Sequence, residues 1–105
     1  MDSGLEFGQA ASSRRYKDQI EDWDVDVDAV LSIVPRQFHR LVDEPDVLDY
    51  GAIAEELDAL GLDQLVLYDE QGRPENIADY RVVWALLAAV KTLAGRIEVL
   101  EAGEV

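Results

Sequence analysis

The sequence predicts an α+β fold: a small mixed domain of short strands and helices, followed by a long C-terminal helix that self-associates as a coiled coil. Three observations carry this expectation. Short β-prone runs at 37–42 and 65–68 are set off by Pro- and Gly-marked turns. A helical stretch, AEELDAL at 54–60, lies between them and ends at Gly61, where a helix C-terminal cap belongs. From Asp79 onward the apolar residues repeat at alternating spacings of three and four.

Composition bounds the possibilities. At 105 residues, 49% apolar and 30% charged, the chain is one domain with enough apolar content for a small core. Lys and Arg number 9 against 23 Asp and Glu, a formal charge of −14. That balance argues against nucleic acid and against an anionic membrane as partners. The longest apolar run, 82–90, is too short to span a bilayer. With no cysteine there is no disulfide, thiolate metal site or thiol nucleophile. No metal-ligand spacing and no Gly-rich phosphate loop occur, so no cofactor or metal is expected. Residues 1–11 lack the basic and apolar regions of a leader and read as a tail or a remnant of an upstream protein.

The elements follow in order. Residues 12–22 read as an extended or turn segment entering a short amphipathic stretch that carries Tyr16, Ile20 and Trp23. Asp and Val alternate over 24–28, the pattern of a short half-exposed strand or extended link. Asp28 is placed to cap a short helix over 29–34, which Pro35 stops. Residues 37–42, with Phe38 and Leu41, form a strand; 43–49, with Pro45, form a loop; 50–53 form another short strand. After the helix at 54–60, the strand at 65–68 turns through 69–72 and pairs back with 75–77 as a hairpin. Trp23 and Trp84 read as core residues. Glu55 and Glu56, beside Ala54 and Leu57, read as solvent-facing.

The closing helix carries the strongest periodic signal. Val83, Leu86, Val90, Leu93, Ile97 and Leu100 form an unbroken a/d seam of about three heptads. β-Branched residues at a and Leu at d favour a parallel dimer, whereas Leu87, Ala89 and Ala94 at e and g widen the apolar face toward three helices or toward docking on the body. Arg96 and Glu101 fall where they can pair between parallel helices and set register. The chain divides accordingly into a tail at 1–11, a body at 12–78 and a coiled-coil helix at 79–105.

One constellation is suited to covalent chemistry. Ser12 precedes Lys17 by five residues, and a serine nucleophile with a lysine base is a known pairing when burial or a cationic neighbour disfavours the charged lysine. In a continuous helix, residues five apart stand about 140° apart around the axis. Either Lys17 folds back over a turn to Ser12, or it acts on the serine of a neighbouring chain. Ser13 is the rival nucleophile. His39, the only histidine, is a candidate auxiliary group or simply a partly exposed strand residue.

The order of these features resembles the self-cleaving intramolecular chaperone domain found at the C-terminus of phage tailspikes, tail fibres and endosialidases, with a related domain in myelin regulatory factor. The resemblance rests on Ser12, Ser13, Arg15, Lys17 and Ile20, then on Pro35 and Phe38. It continues through Gly51, Ile53, Ala54, Glu55 and Glu56, the apolar strand and Gly72, and Tyr80, Val83 and Trp84. It closes with Ala89, Lys91, Leu93, Arg96, Ile97, Leu100 and Glu101, so that it covers about residues 12–101. Ser13 stands where many members carry Asp. The resemblance implies a homotrimer, with a dimer as the alternative, that templates folding of the upstream segment of its own precursor. It further implies autoproteolysis between Ala11 and Ser12, with Ser12 as nucleophile and Lys17 as base, in the host cytoplasm during virion assembly. Two other readings stay open: the same fold as a non-cleaving assembly module, and an unrelated acidic adaptor that dimerises through its last helix.

Overall fold

The computed structural model describes residues 12–41 and 46–103, and the expected tail at 1–11 lies outside them, as does part of the loop around Pro45. A 3-10 turn, Arg14–Tyr16, opens the described chain. Helix α1, Val27–Leu31, follows, then strands β1, Arg36–His39, and β2, Leu48–Gly51. Helix α2, Ala54–Ala59, leads through a second 3-10 turn, Asp63–Leu65, into strands β3, Val66–Tyr68, and β4, Pro74–Ile77. The long helix α3 spans Asp79–Ala102. The α+β class is as expected from the sequence.

Local chemistry explains the boundaries. Helix α1 starts two residues before the expected 29 because Asp26, not Asp28, caps it, its carboxylate accepting the Ala29 N–H at 3.0 Å. It also ends earlier than 34. Ser32 Oγ donates back to the Asp28 carbonyl at 2.9 Å, and Val34 precedes a proline, which disfavours helical backbone there. Helix α2 ends in a Schellman motif: Leu62 N–H donates to Leu57 O and Gly61 N–H to Asp58 O. Gly61 supplies the left-handed φ of +80° that this motif requires.

The strands form two separate antiparallel hairpins rather than one sheet. In the first, Arg36 pairs with Gly51 and His39 with Leu48. Both strands therefore sit earlier than the expected 37–42 and 50–53; pairing with Leu48 ends β1 at His39, and Leu41 is left 94% exposed. In the second, Val66 pairs with Ile77, with an irregularity between Leu67 and Tyr68. Leu65, expected in the strand, belongs to the preceding 3-10 turn.

The core lies where α1, α2, the Asp63–Leu65 turn and the first half of α3 meet. Leu57 and Leu65 are its largest fully buried side chains, and half of the buried apolar residues are alanines. Helix α3 docks on α1 and on the second 3-10 turn through Val82, Ala85 and Ala89, while the Ala78 N–H at its start donates to Leu65 O at 2.9 Å. Short side chains on that stripe let the helix lie close to the body.

Candidate active site

Lys17 Nζ donates to Ser12 Oγ at 3.1 Å. The Arg14–Tyr16 turn makes this possible. Ser13 before it and Lys17 after it both have extended backbone, and the turn closes through Lys17 N–H to Arg14 O. The five-residue spacing is thus bridged by a side chain folding back over one 3-10 turn, within a single chain. Both residues are exposed.

Ser13 is engaged differently. It is the N-cap of the turn, its Oγ accepting the Arg15 N–H at 3.3 Å and Arg15 Nη1 at 3.2 Å. Arg15 also stacks over the Tyr16 ring at 4.6 Å, so its guanidinium faces the turn. His39 ends β1 opposite Leu48 and is exposed. Among the described residues, the hydrogen bonds of Ser12 and Lys17 stay within residues 12–17. Ala11, the other half of the expected cleavage bond, lies outside the described residues.

Other expected site features sort as follows. Glu55 is exposed, whereas Glu56 is half-buried and takes a bidentate ion pair from Arg36, at 3.1 and 3.0 Å. Groups with displaced titration belong to the hairpins. Arg40 and the Tyr50 N–H both donate to Asp49, and the backbone bond followed by Arg40 holds its carboxyl below the usual range. The Arg73 N–H, and then the Arg73 side chain and further turn amides, do the same for Asp69. A hydrogen bond to Asp58 at 2.5 Å pushes the Tyr68 hydroxyl up to about 12. Among the described residues no His, Asp and Glu cluster converges as a metal site, and no helix is long and apolar enough to cross a membrane.

The heptad seam faces outward. Val83, Leu86, Val90, Ile97 and Leu100 are all more than half exposed, and Leu93 is half-buried. The stripe that docks on the body is one residue offset, about 100° around the helix. Ala89, expected to widen the apolar face toward further helices or toward docking on the body, is fully buried against the body. Trp84, expected in the core, is 62% exposed beside the seam. The described residues expose far more large apolar side chains than they bury.

One junction carries no signal in the sequence. Trp23 Nε1 donates to Gln64 Oε1 at 3.0 Å across 41 positions, and Arg81 Nη1 donates to the Gln64 backbone oxygen at 3.0 Å. Neither spacing follows a helix or strand period.

A protein-family model described as chaperone of endosialidase, a peptidase family, matches residues 12–67, just over half of the chain. The matched span runs from the serine of the Ser12–Lys17 contact into β3 and leaves α3 outside it. No curated protein matches the chain. The chain belongs to this chaperone family, the C-terminal intramolecular chaperone domains of phage tail proteins, and its role is that of a chaperone in phage tail assembly.

Proposed function

We propose that this chain trimerises, templates the folding of the tail fibre or tailspike segment encoded upstream of it, and then releases that segment by cutting between Ala11 and Ser12 in the host cytoplasm. The observation that carries this reading is the 3.1 Å contact between Lys17 Nζ and Ser12 Oγ in a member of a peptidase family. The commitment of Ser13 to capping supports Ser12 as the nucleophile.

The chemistry is an acyl shift followed by hydrolysis. Neutral Lys17 takes the Ser12 Oγ proton as Oγ attacks the carbonyl carbon of Ala11. The Ala11 C–N bond breaks, the Ser12 nitrogen takes the proton, and an ester links Ala11 to Oγ. Water then hydrolyses the ester, restoring the hydroxyl and leaving the Ala11 carboxylate. Lysine serves as a base when burial or positive neighbours disfavour its ammonium form. Arg14 and Arg15 precede Lys17 in the chain, and in the proposed assembly its burial is assigned to a neighbouring copy. Cleavage then follows assembly, and the released trimer is held by a high unfolding barrier once its template is gone.

The test is a precursor with its native upstream sequence. A new N-terminus at Ser12, absent in Ser12→Ala and Lys17→Ala, supports the reading. Full-length product throughout favours the non-cleaving assembly module. A sedimentation mass of two chains rather than three favours the acidic, dimerising adaptor.

A further inference from the structure

We propose that Gln64 is a positioning residue that couples the segment bearing Ser12 and Lys17 to the seam helix, holding Trp23 with its side chain and Arg81 with its main chain. The inference rests on the reading of Ser12 and Lys17 as a cleaving pair.

Residues 12–22 form an arm with little hold on the rest of the molecule. Apart from half-buried Ser13 they are exposed, and among the described residues every hydrogen bond they make stays within the arm. Gln19, between Lys17 and Trp23, has a left-handed φ of +50°, and its N–H donates to Asp18 Oδ1 at 2.8 Å. A left-handed φ at a non-glycine residue is uncommon and marks a bend in the arm. The first side chain after it to bond the body is Trp23, through its indole N–H to Gln64 Oε1.

Gln64 is a firm point of attachment. It sits in the 3-10 turn Asp63–Leu65 between buried Leu62 and Leu65. The same turn holds the start of α3 twice, through Arg81 Nη1 to Gln64 O and Ala78 N–H to Leu65 O. Arg81 lies over the Tyr80 ring at 5.4 Å, two residues before Val83, where the seam begins. Trp23, Gln64 and Arg81 line an open cleft of about 440 Å³, so the indole is held by its hydrogen bond at the edge of a cavity rather than locked in a core. The coupling rests also on the proposed trimer, in which packing of copies along the seam fixes the first turns of α3. Through Gln64 that restraint reaches Trp23 and narrows the range of the arm, and small displacements at a reacting centre are costly in rate.

The experiment uses the full chain in its precursor, with Gln64→Ala, Gln64→Glu and Trp23→Phe. Gln64→Glu keeps an acceptor for the indole, and Trp23→Phe keeps a ring but loses the donor. Gln64→Ala and Trp23→Phe are expected to cleave about tenfold more slowly at unchanged sedimentation mass and thermal midpoint, and Gln64→Glu to recover to within about threefold of wild type. In a Ser12→Ala background, Gln64→Ala is expected to shift the Trp23 indole N–H resonance and to lower backbone order parameters over the arm toward about 0.6. Wild-type cleavage rates in Gln64→Ala, slowing that tracks loss of mass or midpoint, or Gln64→Glu as slow as Gln64→Ala each overturn the proposal. An arm equally ordered in Gln64→Ala overturns it while leaving the cleaving pair intact. A wild-type precursor that yields no Ser12 N-terminus removes the cleaving reading and the positioning role with it.

Discussion

Lys17 Nζ and Ser12 Oγ stand 3.1 Å apart although five residues separate them, because a single 3-10 turn, capped by Ser13, doubles the chain back between them. The cap has a second effect. It occupies the neighbouring hydroxyl with Arg15, so the two adjacent serines have different partners.

That division predicts the outcome of three substitutions. Ser12→Ala and Lys17→Ala should abolish appearance of the Ser12 N-terminus. Removing a paired nucleophile or base costs at least about a hundredfold. Ser13→Ala should still cleave at the same bond, more slowly, since it loses only a cap worth about 1 kcal/mol to the turn. Mass spectrometry of precursor incubations over time reads all three.

The outward seam predicts that association and folding separate. Leu86→Glu and Val90→Glu place charge on side chains 52% exposed in the single chain, so they should leave the fold nearly as stable, within about 0.5 kcal/mol. The same changes should lower the sedimentation mass to one chain. Ala89→Glu should do the reverse of what an outer position would tolerate and unfold the domain, since Ala89 is fully buried. Sedimentation velocity with far-UV circular dichroism checks the pair.

The small core predicts concentrated sensitivity. Leu57→Ala and Leu65→Ala should each cost about 2–5 kcal/mol in urea unfolding, because each side chain is 1% exposed and the alanine-rich surroundings offer little to fill the space. Leu41→Ser, at a residue 94% exposed, should cost less than about 0.5 kcal/mol.

Tyr68 predicts an alkaline limit. Its hydrogen bond to Asp58 moves its pKa in the fold from 10.0 to about 12. A raised value favours the protonated hydroxyl in the folded state, so this contribution is fully present below the unfolded value and is lost as pH rises through the folded one. Wild type should therefore lose stability between pH 10.0 and about 12 in a way that Tyr68→Phe does not. Urea midpoints measured across that range provide the comparison.

Much of the architecture is legible in local patterns. The AEELDAL stretch with Gly61, the turn at 69–72 and the run from Asp79 each specify an element through backbone chemistry that neighbours in sequence supply. The Ser12 and Lys17 pairing is legible as residue types, and within the single chain Lys17 reaches Ser12 by folding back over a turn. The cap of α1 is not legible, because Asp24, Asp26 and Asp28 alternate as near-equivalent candidates and only the helix register selects Asp26.

By itself the sequence determined the elements, their order and the existence of an apolar seam, since periodicity and capping act within a few residues. Tertiary structure alone decided which stripe of α3 faces the body. Val82, Ala85 and Ala89 share the three-four spacing of the seam beside them, and burial went to the stripe whose small side chains permit close approach. It also decided that Trp23 meets Gln64 across 41 positions, a contact set by how α1, the second 3-10 turn and α3 pack together and by no pattern along the chain.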